Sequence, residues 1–212
     1  MKNKKAVILD FDGVIADSKQ AMYKAICSVA DDRKVSHPSI ESLQNNPSRF
    51  LFSHLEASWY EVPFIVRKLK KRVAENRGLI TVIPNIADLL KISRDSFDYV
   101  HILSSNSTEF ISGFLKENNL QAYFDSIYGD TSFFKKKSKL KTIIKNYDLA
   151  PHLSFYIGDE TRDVEAANSA TLNSLAVTWG MHSRSLLQTS QPHFIIDTPS
   201  EFRGVMEKVN DL

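Results

Sequence analysis

The chain of 212 residues holds a single cysteine, Cys27. One thiol builds neither a disulfide framework nor a cysteine-ligated metal site. Cys27 is expected to be buried on a helix and inert. No segment is long and apolar enough to span a bilayer. No secretory signal core is present either. Met1-Lys2-Asn3-Lys4-Lys5 leads into a strand-length run that stops at an aspartate, too short for such a core. Neither sign of charge is in real excess: 27 Lys+Arg stand against 25 Asp+Glu, a net charge of +2. That balance offers no argument for nucleic acid or an anionic membrane as the main partner. Repeats and low-complexity tracts are absent. The default expectation is a cytoplasmic, reducing setting with no nucleic-acid and no membrane partner. Monomer and dimer are both open.

The chain does hold enough apolar material for a core, since 42% of it is hydrophobic. Its size suits one full α/β domain with a modest insertion. The chain is organised around Val7 to Ser18, VILDFDGVIADS. The apolar run Ala6-Val7-Ile8-Leu9 suits a strand buried on both faces. It stops at Asp10 and Asp12, and Gly13 then lets the backbone turn sharply. In open parallel sheets, ligands bind outside the carboxyl ends of the strands. Two carboxylates at such an end stand where chemistry is usually done. Alone, Asp and Gly after a strand are also ordinary turn residues, so the later matches decide.

After Ser18 the pattern is helical. Ala21, Ala25, Ile26 and Val29 recur at helical spacing, and Asp17 or Ser18 is a fit N-cap. This helix is expected to end near Asp31-Asp32. His37-Pro38 breaks the chain, and a second helix is expected over Ser39 to Gln44. Phe50, Leu51, His54 and Leu55 mark a third. A fourth follows Pro63, with Ile65, Val66, Leu69 and Val73 as its apolar stripe. Arg67, Lys68, Lys70, Lys71 and Arg72 fill its other side, which reads as a solvated face. Residues 18–78 thus hold helices and no good strand. A connection this long between strands is normally a lid or an added domain. It is read as a small helical cap inserted after the first strand.

From Leu79 strands and helices alternate. Pro84 is expected near the first position of a helix that carries Ile86, Leu89, Leu90 and Ile92. A second strand, Tyr99 to Leu103, closes in Ser104-Ser105-Asn106-Ser107. The next helix carries Phe110, Ile111, Phe114 and Leu115. A third strand covers Phe124 to Tyr128, and Leu140, Ile143, Ile144 and Tyr147 form the following helical stripe. A fourth strand, Leu153 to Ile157, ends at Gly158-Asp159. Val164, Ala167 and Ala170 lie on a helix, Leu175 to Thr178 is a fifth strand, His193 to Ile196 a possible edge strand, and a last helix runs from about Ser200 to Val209. Such alternation calls for an α/β fold with a doubly wound, mostly parallel sheet. Residues 1–17 and 79–212 form its Rossmann-like core, and 18–78 the cap.

Parallel strands send their polar ends to one edge. The first brings Asp10 and Asp12; the second brings Ser104, Ser105 and Asn106. The helix after the third opens in Lys135, Lys136, Lys137 and Lys139. The fourth brings Asp159 and, one helical turn on, Asp163. Acidic clusters, a hydroxyl and a lysine together make a hard-cation site with a phosphate pocket. Mg²⁺ favours a few carboxylate oxygens plus waters and substrate phosphate oxygens. A carboxylate can also attack phosphorus and form an aspartyl-phosphate. Phosphoryl transfer then needs mostly positioning and charge neutralisation.

These residues resemble the haloacid dehalogenase-like (HAD) superfamily of phosphohydrolases along the whole chain. Asp10-Phe11-Asp12-Gly13-Val14 is similar to its first motif, DxDG[VT]. Ser104 matches the second, an apolar strand ending in Ser or Thr. The third is a lysine that opens a helix, and Gly158-Asp159-Glu160-Thr161-Arg162-Asp163 matches the fourth, GDxxxD. The helical insertion resembles the family's C1 type of cap, and ILSSNS and VTWG resemble its phosphoglycolate phosphatase-like branch. The resemblance implies a Mg²⁺-dependent phosphatase for a small phosphorylated metabolite. It implies that Asp10 attacks phosphorus and ligates Mg²⁺, and that Asp12 acts as acid and base while its backbone carbonyl ligates the metal. Ser104 would bind the phosphoryl group, Asp159 the metal, and Asp163 the metal or a metal-bound water. Lys136 is chosen as the neutralising lysine, because Leu140, Ile143, Ile144 and Tyr147 fall on one face behind it; Lys137 is the runner-up. Dehalogenases of the superfamily lack the second aspartate, so Asp12 favours phosphate esters.

Other residues carry smaller expectations. Ser105 and Asn106 are candidate phosphate donors. Arg49, in a loop beside Asn45-Asn46-Pro47-Ser48, is a candidate reader of the substrate's far end, or else a surface arginine. His101 reads as a hydrogen-bonded core residue, His182 as facing pocket or solvent, and Trp179 as packing. Two other activities fit the same core. A phosphomutase would move phosphate within a sugar, and a HAD-like binding protein would have no turnover. The acid–base Asp12 argues against the second, since a binder has no need of it.

Overall fold

The structure is a computed structural model that describes residues 4–132 and 135–210. The chain's first three residues therefore lie outside the described residues. β1 (Ala6–Leu9) is buried along its whole length. A tight turn leads to β2 (Ala16–Asp17) and then to four helices, α1 (Lys19–Arg33), α2 (Ile40–Asn45), α3 (Arg49–His54) and α4 (Val62–Glu75). β3 (Thr81–Val82) returns antiparallel to β2. Next come α5 (Ile86–Ser96), β4 (Tyr99–Leu103), α6 (Thr108–Glu117), β5 (Ser126–Tyr128) and α7 (Lys136–Tyr147). The chain continues through β6 (Phe155–Gly158), α8 (Thr161–Ser169), β7 (Asn173–Val177), α9 (Arg184–Thr189), β8 (Phe194–Ile196) and α10 (Phe202–Asn210).

Six strands make one sheet in the order β5-β4-β1-β6-β7-β8. Every pairing in it is parallel. Side chains alternate across β1, as the strand period of two requires. Val7 and Leu9 enter the larger core cluster with Leu89, Ile111 and Phe202. Ala6 and Ile8 enter a second cluster with Leu140, Ile143 and Ala167. Helices therefore cover both faces, and the apolar run of β1 meets hydrocarbon on each. β1 sits between β4 and β6, where the strand order turns back on itself. A crevice at the carboxyl ends is expected at such a switch point.

Helices α1 and α4 pack against each other. Their inner residues Ala25, Val29, Leu69 and Val73 join the same cluster as Leu9. The basic side of α4 is more than a solvated face. Lys68 Nζ lies 2.7 Å from Asp32 of α1, and Lys70 Nζ donates to the Ser105 carbonyl at 2.6 Å.

Several expectations are corrected. Pro84 lies outside its helix, because Asn85 takes the N-cap with a left-handed backbone, φ 60°, and α5 starts at Ile86. The β2–β3 pair and α9 escape the reading because two-residue strands and a six-residue helix hold too little periodicity. Cys27 is partly exposed on α1, beside the face that Ile26 and Val29 bury. His101 is fully buried, but among the described residues neither ring nitrogen has a hydrogen-bond partner. Its ring packs among Tyr99, Tyr128 and Tyr147. No helix of the described residues is long and apolar enough to cross a membrane.

Candidate active site

The carboxyl end of β1 holds Asp10 in place. Its N–H donates to the Ile157 carbonyl of β6 at 2.9 Å, so the residue after the strand is still tied to the sheet. Asp10 Oδ1 accepts from the Phe11 amide at 2.7 Å. Asp10 Oδ2 accepts from Lys136. The turn that follows needs a glycine. Gly13 has φ +73°, and an added Cβ would overlap the Asp159 carboxylate. Gly180 crowds Asp159 from the other side in the same way.

Lys136 opens α7 and is buried. Its Nζ bonds Asp10 and, at 2.7 Å, Asp163 Oδ1. It also lies 5.7 Å from the Tyr156 ring centre. Burial works against its charge, but Asp10 and Asp163 outweigh burial and hold Lys136 well above the usual lysine range. Lys137 is exposed. The structure thus brings Lys136, and not its neighbour, to the carboxylates.

Asp159 follows β6, and its Oδ2 accepts from the Met181 amide at 2.7 Å. Asp163 closes a capping box with Glu160 at the start of α8. Its Oδ2 accepts from the Glu160 amide at 3.3 Å, and its Oδ1 from the Tyr156 hydroxyl at 3.4 Å. A side chain at the third position of a helix reaches back toward the N-cap. That geometry aims Asp163 at the sheet edge.

Burial pushes Asp10 up to about 6, with Lys136 opposing and Asp163 adding to the rise. Burial, then Glu160, Asp163 and Asp10, hold Asp159 well above the usual carboxylate range. One oxygen from each of Asp10, Asp159 and Asp163 lies within 4.8 Å of the others. Among the described residues Asp159 has no ion-pair partner. Buried carboxylates are normally paired or metal-bound. The donor set is all hard oxygen, which suits a divalent cation such as Mg²⁺. The residues present therefore fit a metal.

Asp12 lies beside this cluster. Burial raises it, while the nearby Ser18 hydroxyl and the Asn106 amide favour its charged form. Asn106 Nδ2 donates to Asp12 Oδ2 at 3.3 Å. Ser104 is buried at the end of β4, and its Oγ accepts from the Asn106 amide at 3.1 Å. Ser105 offers its carbonyl to Lys70. So Asp10, Asp12, Ser104, Asn106, Lys136, Asp159 and Asp163 gather at one edge. Arg49 shares a cleft with Lys136 of that edge. It is not in a loop but opens α3, is exposed, and lines the cleft with Lys137 and Arg162.

Sequence reasoning missed a second polar group. Glu160 accepts from Arg162 Nη2 at 2.6 Å and from the Ser48 hydroxyl, and His182 Nε2 lies 3.8 Å away. Burial alone would raise Glu160, but Arg162, His182 and Ser48 hold it at about 2. His182 faces a cavity under the helices rather than solvent. It is buried, and its Nδ1 accepts from the Thr161 amide at 3.1 Å. Glu160 and Arg162 stand between the two aspartates of their motif, which is the only local signal. Trp179 packs against the core, and its Nε1 donates to the Val14 carbonyl at 3.2 Å.

Residues 7–177 match the family model of haloacid dehalogenase-like hydrolases. A phosphoglycolate phosphatase of Synechococcus elongatus is 29% identical over 199 residues, covering 92% of this chain and 94% of the relative. A phosphoglycolate phosphatase of Vibrio vulnificus is 21% identical and covers 95% of this chain and 96% of its own. Among solved structures, a haloacid dehalogenase-like family hydrolase of Streptococcus pneumoniae superposes with a TM-score of 0.78 at 24% identity. It covers 97% of this chain and 100% of the other, and shares the fold.

Proposed function

The chain belongs to the haloacid dehalogenase-like hydrolase family, and on that premise we propose that it is a metal-dependent phosphatase of a small phosphomonoester, acting through an Asp10-phosphate. The observation that carries this reading is Lys136, buried between Asp10 and Asp163, with Asp159 within metal-ligand reach of both. Relatives named phosphoglycolate phosphatase support the phosphomonoester class. The reading keeps a cytoplasmic setting, as suits a substrate of that kind.

Asp10 forms an Oδ–P bond as the ester P–O bond breaks. Asp12 gives its proton to the departing oxygen, so the alcohol leaves neutral. Burial raises Asp12, which favours the protonated form that this step needs. Water then attacks the Asp10-phosphate while Asp12 takes a proton, and the Oδ–P bond breaks to release phosphate. Lys136 neutralises Asp10 and the phosphoryl oxygens, and Ser104 binds one of those oxygens. Asp10, Asp159, Asp163 and the Asp12 carbonyl would hold Mg²⁺, which supplies further neutralisation of the spread-out charge. Residues 18–78 act as a cap over the core of residues 1–17 and 79–212, joined to it through the β2–β3 pair. Closure of that cap would exclude water.

The test is phosphate release from a panel of phosphorylated metabolites and an aryl phosphate, with Mg²⁺ or chelator, for wild type and Asp10→Asn. Release that requires Mg²⁺ and disappears in a folded Asp10→Asn protein is expected. An active, folded Asp10→Asn enzyme would sink the reading. Interconversion of sugar phosphates with little hydrolysis would point to a phosphomutase instead.

A further inference from the structure

Two cavities adjoin the catalytic edge. One, of about 120 Å³, touches Asp12 and Asn106 and is otherwise walled largely by Val73, Ile80 and Phe110. The other, of about 140 Å³, lies under the four helices and is walled largely by Ile26, Leu43, Leu51, Val66 and Leu69. Met22, Lys70 and Ser105 belong to both walls. A group leaving from Asp12 would therefore enter the first cavity and, past Lys70, reach the second.

Most polar groups on these walls are already engaged. Lys70 Nζ donates to the Ser105 carbonyl at 2.6 Å. Arg162 Nη2 donates to Glu160 at 2.6 Å. Glu160 also takes the Ser48 hydroxyl, and His182 Nδ1 takes the Thr161 amide. Glu160 and Arg162 offset each other's charge. An anionic leaving group would lose its water against hydrocarbon, and Lys70, which no carboxylate pairs among the described residues, is exposed and repays little of that cost. A neutral apolar group gains from the same walls. An apolar cavity of about 150 Å³ is known to hold a benzene molecule.

Resting on the phosphatase reading, we propose that these two cavities form a leaving-group chamber that selects an uncharged, apolar alcohol about the size of a benzene ring over a small carboxylated alcohol. The bond changes are those of the Asp10 step, with the ester P–O bond broken and the Asp12 proton taken by the departing alcohol. The chamber decides only which alcohol leaves well.

The experiment compares kcat/KM for benzyl phosphate, ethyl phosphate and 2-phosphoglycolate with Mg²⁺, in wild type and Val66→Trp. All three leaving groups are primary alcohols, so size and charge are what differ. Benzyl phosphate is expected to lead by about tenfold or more. Val66→Trp fills the larger cavity and lowers the benzyl-to-ethyl ratio by about tenfold. Preference for 2-phosphoglycolate, or a ratio that Val66→Trp does not move, overturns the proposal. Calorimetric binding of benzylphosphonate separates the two readings. If no ester is hydrolysed, the phosphatase reading fails. The chamber then stands if Val66→Trp weakens benzylphosphonate binding, and falls if binding is absent or unchanged.

Discussion

Protonation of His101 should destabilise the protein from within. The ring is fully buried on β4 with no hydrogen bond at either nitrogen among the described residues. Burial pushes it down from 6.5 to about 4, with Asp125 opposing and Arg94 adding to the fall. The native state therefore holds the neutral ring, while the unfolded chain takes a proton near pH 6.5. Stability from this group is full above that pH and is lost as pH falls toward 4. The gap between 6.5 and about 4, at about 1.36 kcal/mol per pKa unit, is worth about 3 kcal/mol in all. About 2 kcal/mol of it is gone by pH 5. His101→Phe keeps a ring among Tyr99, Tyr128 and Tyr147 but removes the titration. The assay is urea unfolding of both proteins at pH 7.5 and pH 5. Wild type should lose about 2 kcal/mol more than His101→Phe between those values. Asp10, raised to about 6, titrates in the same window with the opposite sign, but its effect is common to both proteins and cancels in the comparison. Equal losses within about 0.5 kcal/mol would refute the assignment of a buried neutral ring.

Two further outcomes follow from the carboxylate cluster. Lys136→Met leaves Asp10 and Asp163 without their buried cation, so metal-free stability should fall by about 3 kcal/mol or more. Turnover should be lost with it, whereas Lys137→Met, at an exposed position, should change turnover less than about twofold. Matching effects from the two lysines in denaturant titration and phosphate release would count against the geometry. Asp159→Asn removes a buried carboxylate that Glu160, Asp163 and Asp10 crowd. It should raise the metal-free melting temperature, by an amount corresponding to about 1 kcal/mol. The same variant should lose the further rise that Mg²⁺ gives wild type. A variant that melts lower without metal, or still responds fully to Mg²⁺, would contradict the repulsion inferred at this cluster.

Much of the arrangement is written locally. The apolar run of β1 ends at Asp10 because two aspartates and a glycine cannot continue a buried strand. The same rule places Ser104 after β4 and Asp159 after β6. The helical period puts Lys136 one turn before Leu140, and α7 buries both. Such features depend on a few consecutive residues and their propensities, so pattern alone exposes them. Short elements were illegible for the converse reason. The β2–β3 pair joins segments more than sixty residues apart in the chain.

What only the tertiary structure decided is which distant side chains meet. Ser48 finds Glu160 across 112 residues, and Lys70 finds Ser105 across 35. His101 loses its hydrogen bonds to a cage of tyrosines from β4, β5 and α7. The apolar chamber exists only where α1 to α4 close over the sheet edge. Each such contact is set by the joint packing of many weakly interacting surfaces. From its sequence alone the protein declared its candidate site residue types and the strand ends that carry them. Packing chose the lysine, the neighbours of each carboxylate and the shape of the space beside them.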